Sequence, residues 1–263
     1  MSASVAAPRV GLFVTCLVDL HRPNVGFATL RLLEAAGCTV IVPEAQTCCG
    51  QPAFNSGDVR STRAIARRTI EAFDGLDHVV VPSGSCAGML HEHYPLLFAD
   101  DPVWATRASE FGARCHELTS FLVDVLGRDD IARELGASYK GTVTYHDSCA
   151  GLRELGVKAQ PRALLAGVAE TTLAEMEDTE VCCGFGGTFC VKFADISERM
   201  ADDKIALALQ SGADTLIGGD MGCLLNLSGR LSRHEHAMRV YHVAEVLAGM
   251  VDVPAIGERL SKG

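Results

Sequence analysis

The sequence predicts an α/β protein made of two tandem repeats of a Rossmann-like parallel-sheet domain, related by an internal pseudo-two-fold duplication. Three observations point there. Short β-type runs alternate with helical stretches along the chain, the pattern of strand, crossover and parallel strand. A set of cysteine and glycine landmarks in the first half recurs in the second at nearly constant spacing. Each landmark cysteine lies just after a β-type run.

The repeat is explicit in the numbering. The first half carries Cys16, then the vicinal pair Cys48 and Cys49 followed by Gly50, then Cys86. The second carries Cys149, then Cys182 and Cys183 followed by Gly184, then Cys223. The offsets are 133 (16 to 149), 134 (48 to 182) and 137 (86 to 223), equal to within the length of a loop. A period this long means a duplicated domain and not a solenoid. The boundary is expected near Gly127 to Gly141, giving a first domain over residues 1–135 and a second over 136–263.

Within the first half, Val10 to Val14 reads as the opening strand, followed by a helix from about Gly26 to Ala36 and a strand from Thr39 to Val42. A helix from about Asp58 to Phe73 shows Val59, Thr62, Ala66, Ile70 and Phe73 at steps of three and four. Arg60, Arg63 and Arg67 run beside that stripe, as a solvated face or as a dock for an acidic partner. Strand His78 to Val81 and more helix around Val103 to Leu126 complete the half. The second half places strands at Thr142 to His146 and Thr215 to Gly219, and helices near Pro161 to Val168, Ala194 to Ser211 and His242 to Met250. Such apolar strands suit parallel sheets covered on both faces.

Composition bounds the function. With 263 residues, 48% hydrophobic and 21% charged, the chain has the make-up of an ordinary globular protein. A net charge of -10 lacks the surplus of Lys and Arg that nucleic acid or anionic lipid attracts, so no nucleic-acid partner is expected. No run approaches the roughly 20 apolar residues of a spanning helix, and the early apolar run lacks a cleavage pattern. A cytoplasmic protein without direct membrane insertion is expected. Eleven cysteines in a reducing compartment point to metal or redox work.

In an open parallel sheet, the loops leaving the carboxyl ends of the strands gather on one edge. Cys16, Cys48, Cys49 and Cys86 should therefore meet, and so should Cys149, Cys182, Cys183 and Cys223. Clustered thiolates repel one another and oxidise, whereas iron or zinc stabilises the deprotonated form. All-sulfur ligation leaves an iron-sulfur cluster or zinc. Structural zinc usually takes C-x2-C pairs, which this sequence lacks. Adjacent cysteines on extended backbone point opposite ways, which suits a multi-iron cluster, with zinc possible in one site. Gly50, Gly84, Gly184, Gly186 and Gly187, with Gly88 and Gly222, would let backbone amides approach an anionic cluster. His146 and Asp147, just before Cys149, would hydrogen-bond cluster sulfur, carry protons or be satisfied loop residues. Asp220 would supply an oxygen ligand or a proton, or cap its loop.

The stretches QTCCGQPAFNSGD, VPSGSCAGML, YHDSCAGLRELG, CCGFGGTFCVKF and GGDMGCLLN span nearly the whole chain. They resemble the cysteine-rich CCG-domain family, whose pattern is a lone Cys, then CCG, then C-x-x-C, usually duplicated. That family includes a component of heterodisulfide reductase and the iron-sulfur subunit of glycolate oxidase. Within it the sequence resembles the lactate utilization A type, the iron-sulfur subunit of an L-lactate dehydrogenase complex. The resemblance implies a [4Fe-4S] cluster in each domain and electron transfer, with other iron-sulfur and partner subunits, during oxidation of L-lactate to pyruvate. One departure matters. Where reductase-type members have the first Cys of C-x-x-C, this chain has Ser83 and Asp220, leaving four thiolates per site instead of five. Their noncubane clusters are therefore not expected.

No nucleophile elbow, Walker loop or dinucleotide fingerprint is present, so bond-breaking is expected to fall to a partner. Competing readings are reduction of a disulfide or other sulfur substrate, service to glycolate or another 2-hydroxy acid, and a zinc-stabilised scaffold. Cys38, at the start of a strand, and Cys115, in helical sequence, are expected to be packing residues, and Cys190 an uninvolved thiol. His91, His93, His234 and His236 are expected to be solvated helix residues.

Overall fold

A computed structural model describes residues 7–258. It contains two four-stranded sheets, both wholly parallel. The first comprises β1 (Arg9–Leu12), β2 (Thr39–Ile41), β3 (His78–Val81) and β4 (Cys115–Glu117), in the order β2-β1-β3-β4. The second comprises β5 (Ser138–His146), β6 (Ala169–Leu173), β7 (Thr215–Gly218) and β8 (Arg239–His242), in the order β6-β5-β7-β8. The identical order is the duplication seen in three dimensions. Each chain path crosses from one side of its first strand to the other, so a topological switch point lies between β1 and β3 and between β5 and β7.

The helix expected around Val103 to Leu126 is interrupted. Helix Pro102–Gly112 ends, β4 intervenes, and helical turns resume at Leu118 and run through Val125. Gly112 lies against the preceding layer, where an added Cβ would sit 2.8 Å from the His91 carbonyl oxygen. Cys115 thus opens a strand instead of lying in a helix, and β4 is too short to show a period of its own. The edge strand β6 is masked in the sequence by its polar residues, and the helix expected from His242 begins only at Val243, because His242 ends β8.

The two repeats do not have separate cores. Phe13, Phe73, Val79, Val81, Phe98 and Phe111 fill one face of the first sheet. On its other face, Val10, Leu32, Val80 and Leu118 join an apolar cluster continuing through Tyr145, Leu216, Leu227 and Leu247 of the second half. Helix Pro23–Ala35 packs on helix Val243–Leu247 across this seam. Buried Glu245 ties them, accepting from Arg22 Nε at 2.8 Å and Asn24 Nδ2 at 2.7 Å.

Helix Val59–Ala72 buries Thr62, Ala66 and Ile70 of the expected stripe, with Thr69 beside them and Phe73 at its end, but Val59 in its first turn is exposed. The arginines beside it are not simply solvated. Arg63 bonds the Leu97 carbonyl and pairs with Asp100, while Arg67 reaches Asp101 and lies over Trp104. Among the described residues, no helix is long and apolar enough to cross a membrane.

Candidate metal centres

Both cysteine sets converge at the carboxyl edges of their sheets, beside the switch points. In the first half, Cys16 begins the helix Cys16–His21 directly after β1, and Cys86 lies in the helix Gly84–Gly88 after β3. Cys48 and Cys49 arrive from the loop after β2. Cys16 Sγ lies 3.8 Å from Cys48 Sγ, and Cys49 Sγ lies 3.3 Å from Cys86 Sγ.

The second half repeats this down to its caps. Thr15 accepts from the Val18 amide and Ser148 from the Gly151 amide, each capping the helix that starts with the lone cysteine. Ser83 caps the helix of Cys86 and Asp220 that of Cys223. The Gly50 and Gly184 amides each donate to the first sulfur of their pair, Cys48 and Cys182, at 3.4 Å. Both glycines have left-handed backbone (φ 86° and 80°), which turns the amide back onto that sulfur. Tyr94 Oη holds the Cys49 carbonyl at 2.9 Å, and Asn226 Nδ2 holds that of Cys183 at 2.8 Å.

Electrostatics show what the bare thiols lack. Cys48 accepts from Cys16 and Cys49, which holds its thiol well below the ordinary range, and Cys182 is held down by Cys149 and Cys183. Those contacts, then burial, push Cys16, Cys49, Cys149 and Cys183 up. Cys223 is pulled down by Cys183 but ends raised, through burial and the charges of Asp220 and Cys182. Cys48 and Cys182 are therefore favoured as thiolates, while Cys16, Cys49, Cys149, Cys183 and Cys223 resist ionisation. A cation held between the sulfurs would supply the missing compensation.

The first set also leaves room. All four of its sulfur residues line a cavity of about 110 Å³, closed on the far side by Phe185, Gly187, Asp220, Met221 and Gly222 of the second half. A water fills roughly 30 Å³ of liquid, so this is space for several inorganic atoms. A four-thiol site with such a cavity fits a polynuclear cluster, whereas a tetrahedral ion needs no cavity beyond its ligands. A wider cleft of about 410 Å³ elsewhere is lined by none of the eight cysteines.

The other residues singled out by sequence divide by role. Asp220 is committed to structure: Oδ1 accepts from the Gly222 amide at 3.1 Å, and Oδ2 from Ser83 Oγ at 3.0 Å and the Ser85 amide at 2.9 Å. Gly84 makes room for the other half, since an added Cβ would meet Ser148 Oγ at 2.5 Å and Gly151 Cα at 2.9 Å. Gly186 shapes its loop against Phe189, and Gly187 lines the first cavity. Asp147 is satisfied by Arg162, which binds both carboxylate oxygens at 2.9 Å. Cys38 and Cys115 are buried, and Cys190 Sγ turns to the Gly187 carbonyl at 3.1 Å. His91 is less free than expected, with Nδ1 2.9 Å from the Gly112 carbonyl oxygen. His234 stands beside Asp202 and His93 beside Glu154.

His146 differs from all of these. It is 1% exposed, neither ring nitrogen has a hydrogen-bond partner among the described residues, and one lies within 4.8 Å of the Cys183 and Cys223 sulfurs. Burial, and secondarily Lys204, lowers its pKa to about 3, so the ring is neutral. Lys204 was missed from sequence. Fully buried on helix Ala194–Gln210, it donates to the Thr179 carbonyl at 2.7 Å, and burial lowers its pKa to about 8. Its signal was a lysine within the buried stripe Ser197, Ala201, Ile205 and Ala208.

The chain matches the family described as the cysteine-rich domain, CCG, over residues 10–91 and 143–228, and all eight converging cysteines fall inside those segments. It is 52% identical over 239 residues to "Lactate utilization protein A" of Bacillus cytotoxicus, covering 91% of this chain and 98% of that protein. At the same coverage it is 50% identical to "Lactate utilization protein A 1" of Bacillus cereus and to "Lactate utilization protein A" of Bacillus thuringiensis.

Proposed function

The chain belongs to the cysteine-rich CCG domain family, and from that premise we propose that it is an iron-sulfur electron-transfer subunit of a system oxidising L-lactate to pyruvate. The observation that carries the reading is the convergence of four thiols in each repeat on a switch-point edge, with a 110 Å³ cavity beside the first set. The names of its relatives supply the substrate.

Cys16, Cys48, Cys49 and Cys86 hold one centre, and Cys149, Cys182, Cys183 and Cys223 the other. A [4Fe-4S] cluster bound there supplies one-electron redox chemistry. The protein's own groups orient the sulfurs by helix caps, donate the Gly50 and Gly184 amides to them, and exclude water with Phe185 and Met221. Breaking the lactate C–H bond falls to partner subunits that bring an organic cofactor, with this chain working beside them in the cytoplasm.

One observation favours a second reading. The 3.8 Å between Cys16 and Cys48 is about what two sulfurs at ~2.3 Å from one tetrahedral ion would span, so a zinc-stabilised scaffold is the alternative. The functional test is reduction of the anaerobically loaded chain by L-lactate in the presence of the other subunits, with glycolate as a comparison. Bleaching of the visible absorption by lactate supports the reading. Bleaching by glycolate alone reassigns the donor, and turnover of a disulfide by this chain without partners overturns it.

A further inference from the structure

We propose that His146 binds the metal of the second centre directly through a ring nitrogen, beside Cys183 and Cys223, so that the second centre is a mixed nitrogen and sulfur site while the first is all-sulfur. This rests on the reading of both cysteine sets as metal centres, and makes the two unequal.

The observation is an imidazole with nothing to do. His146 ends β5, is 1% exposed, and has no hydrogen-bond partner at either nitrogen among the described residues. A buried polar group in that condition calls for a partner, and here one nitrogen is within 4.8 Å of two sulfurs already converging on a centre. A neutral ring nitrogen is a ready ligand for iron or zinc. The nearby Asp147 does not occupy it, being held by Arg162.

Internal symmetry provides the control. At the offset of 133 that relates Cys149 to Cys16 and Ser148 to Thr15, His146 corresponds to Phe13. Phe13 is fully buried against Phe73 and offers no donor. A second difference falls on the same centre. Ile65 and Met200 pack on the equivalent glycines Gly50 and Gly184, an offset of 135, which sets Lys204 opposite Thr69. The second centre thus has a buried imidazole and a buried amine where the first has a phenyl ring and a hydroxyl. His146 is then a donor added to the four thiols of the second centre, with no counterpart in the first, so the two centres differ in ligand set and are expected to differ in reduction potential.

The test uses the full chain loaded anaerobically with iron and sulfide, grown once with 15N-histidine and once without. Pulsed electron paramagnetic resonance of the reduced protein should show a strongly coupled histidine nitrogen on one of two clusters, lost in His146→Phe. Only weak coupling, of the size a hydrogen bond to cluster sulfur gives, overturns direct ligation. The labelled unmutated protein decides this even where His146→Phe does not fold. In His146→Phe, which gives the second centre the phenyl ring that the first has at Phe13, the two reduction potentials should converge, and unchanged potentials count against the proposal. Iron and sulfide analysis of the same samples separates the questions: two clusters without nitrogen coupling sink only the histidine. Should the chain take zinc instead, X-ray absorption at the zinc edge still decides, since an all-sulfur second site refutes it.

Discussion

Ser83 Oγ donates to Asp220 Oδ2 at 3.0 Å, joining the caps of the two helices that carry Cys86 and Cys223. The residues are equivalents in the two repeats, 137 positions apart like the cysteines they precede. They also occupy the positions where reductase-type relatives carry a fifth cysteine. What a five-thiol site would use for metal, this chain uses as a polar link between halves, reinforced by the Ser85 amide on the same oxygen at 2.9 Å.

Removing that link should be costly. Asp220→Ala loses a helix cap, worth about 1 kcal/mol, and buried bonds to a carboxylate, worth about 1.5–3 kcal/mol. We expect about 3 kcal/mol of destabilisation, and about 1 kcal/mol for Ser83→Ala. Urea unfolding at matched metal content measures both. The double mutant should be destabilised by less than the sum of the singles, because the two residues share one bond.

Each centre should be lost separately. Cys48→Ser removes a thiol of the first set that its neighbours hold as a thiolate, and Cys182→Ser does the same in the second. Either variant should retain about half of the bound metal, and Cys48→Ser with Cys182→Ser should retain almost none. Loss of all metal from a single substitution would mean the centres assemble together.

The fold was legible because the landmarks that mark the repeat are also the ends of strands. Cys16, Cys49 and Cys86 announce β1, β2 and β3 by following them, and the matching offsets make the second sheet a copy of the first. The shared core was not legible, since an apolar residue such as Leu32 reads the same whether it packs on its own sheet or, across the seam, near Leu247. Within the centres, the thiols were plain but their neighbours were not. Asp220 and His146 both stood beside cysteines as possible donors, and only three-dimensional partners distinguish the bonded carboxylate from the unpartnered imidazole. Lys204 was hidden because a long polar side chain in a helix is ordinarily a surface residue.

Stability should fall as pH rises through the range governed by Glu117. Burial, with a smaller push from the charge of Asp220, raises its pKa to about 7, against the hydrogen bonds from Thr119 and Ser120 that favour the carboxylate. A raised acid holds its proton in the folded state, so this contribution is fully present below the ordinary carboxylate range and is lost as pH climbs to about 7. The full loss is roughly 3–4 kcal/mol. Denaturant titrations of the protein and of Glu117→Gln between pH 5 and 8 should show a difference in slope of that sign. Parallel curves would remove Glu117 from the account.

The approach of Gly84 to Gly151 should tolerate no methyl group. In Gly84→Ala the added carbon would lie 2.5 Å from Ser148 Oγ and 2.9 Å from Gly151 Cα, so backbone must move. We expect a loss of about 1–3 kcal/mol, the usual cost of overpacking, and a perturbed second centre, because Ser148 caps the helix that starts at Cys149. Thermal unfolding and the visible spectrum of the loaded variant report the two effects.

The most direct measurement is metal and acid-labile sulfide analysis of the chain purified without oxygen. Two four-iron clusters require roughly eight irons and eight sulfides per chain and a brown solution with a paramagnetic signal on reduction. A colourless protein holding zinc, or one holding no metal while all eight cysteines remain reduced, would contradict it.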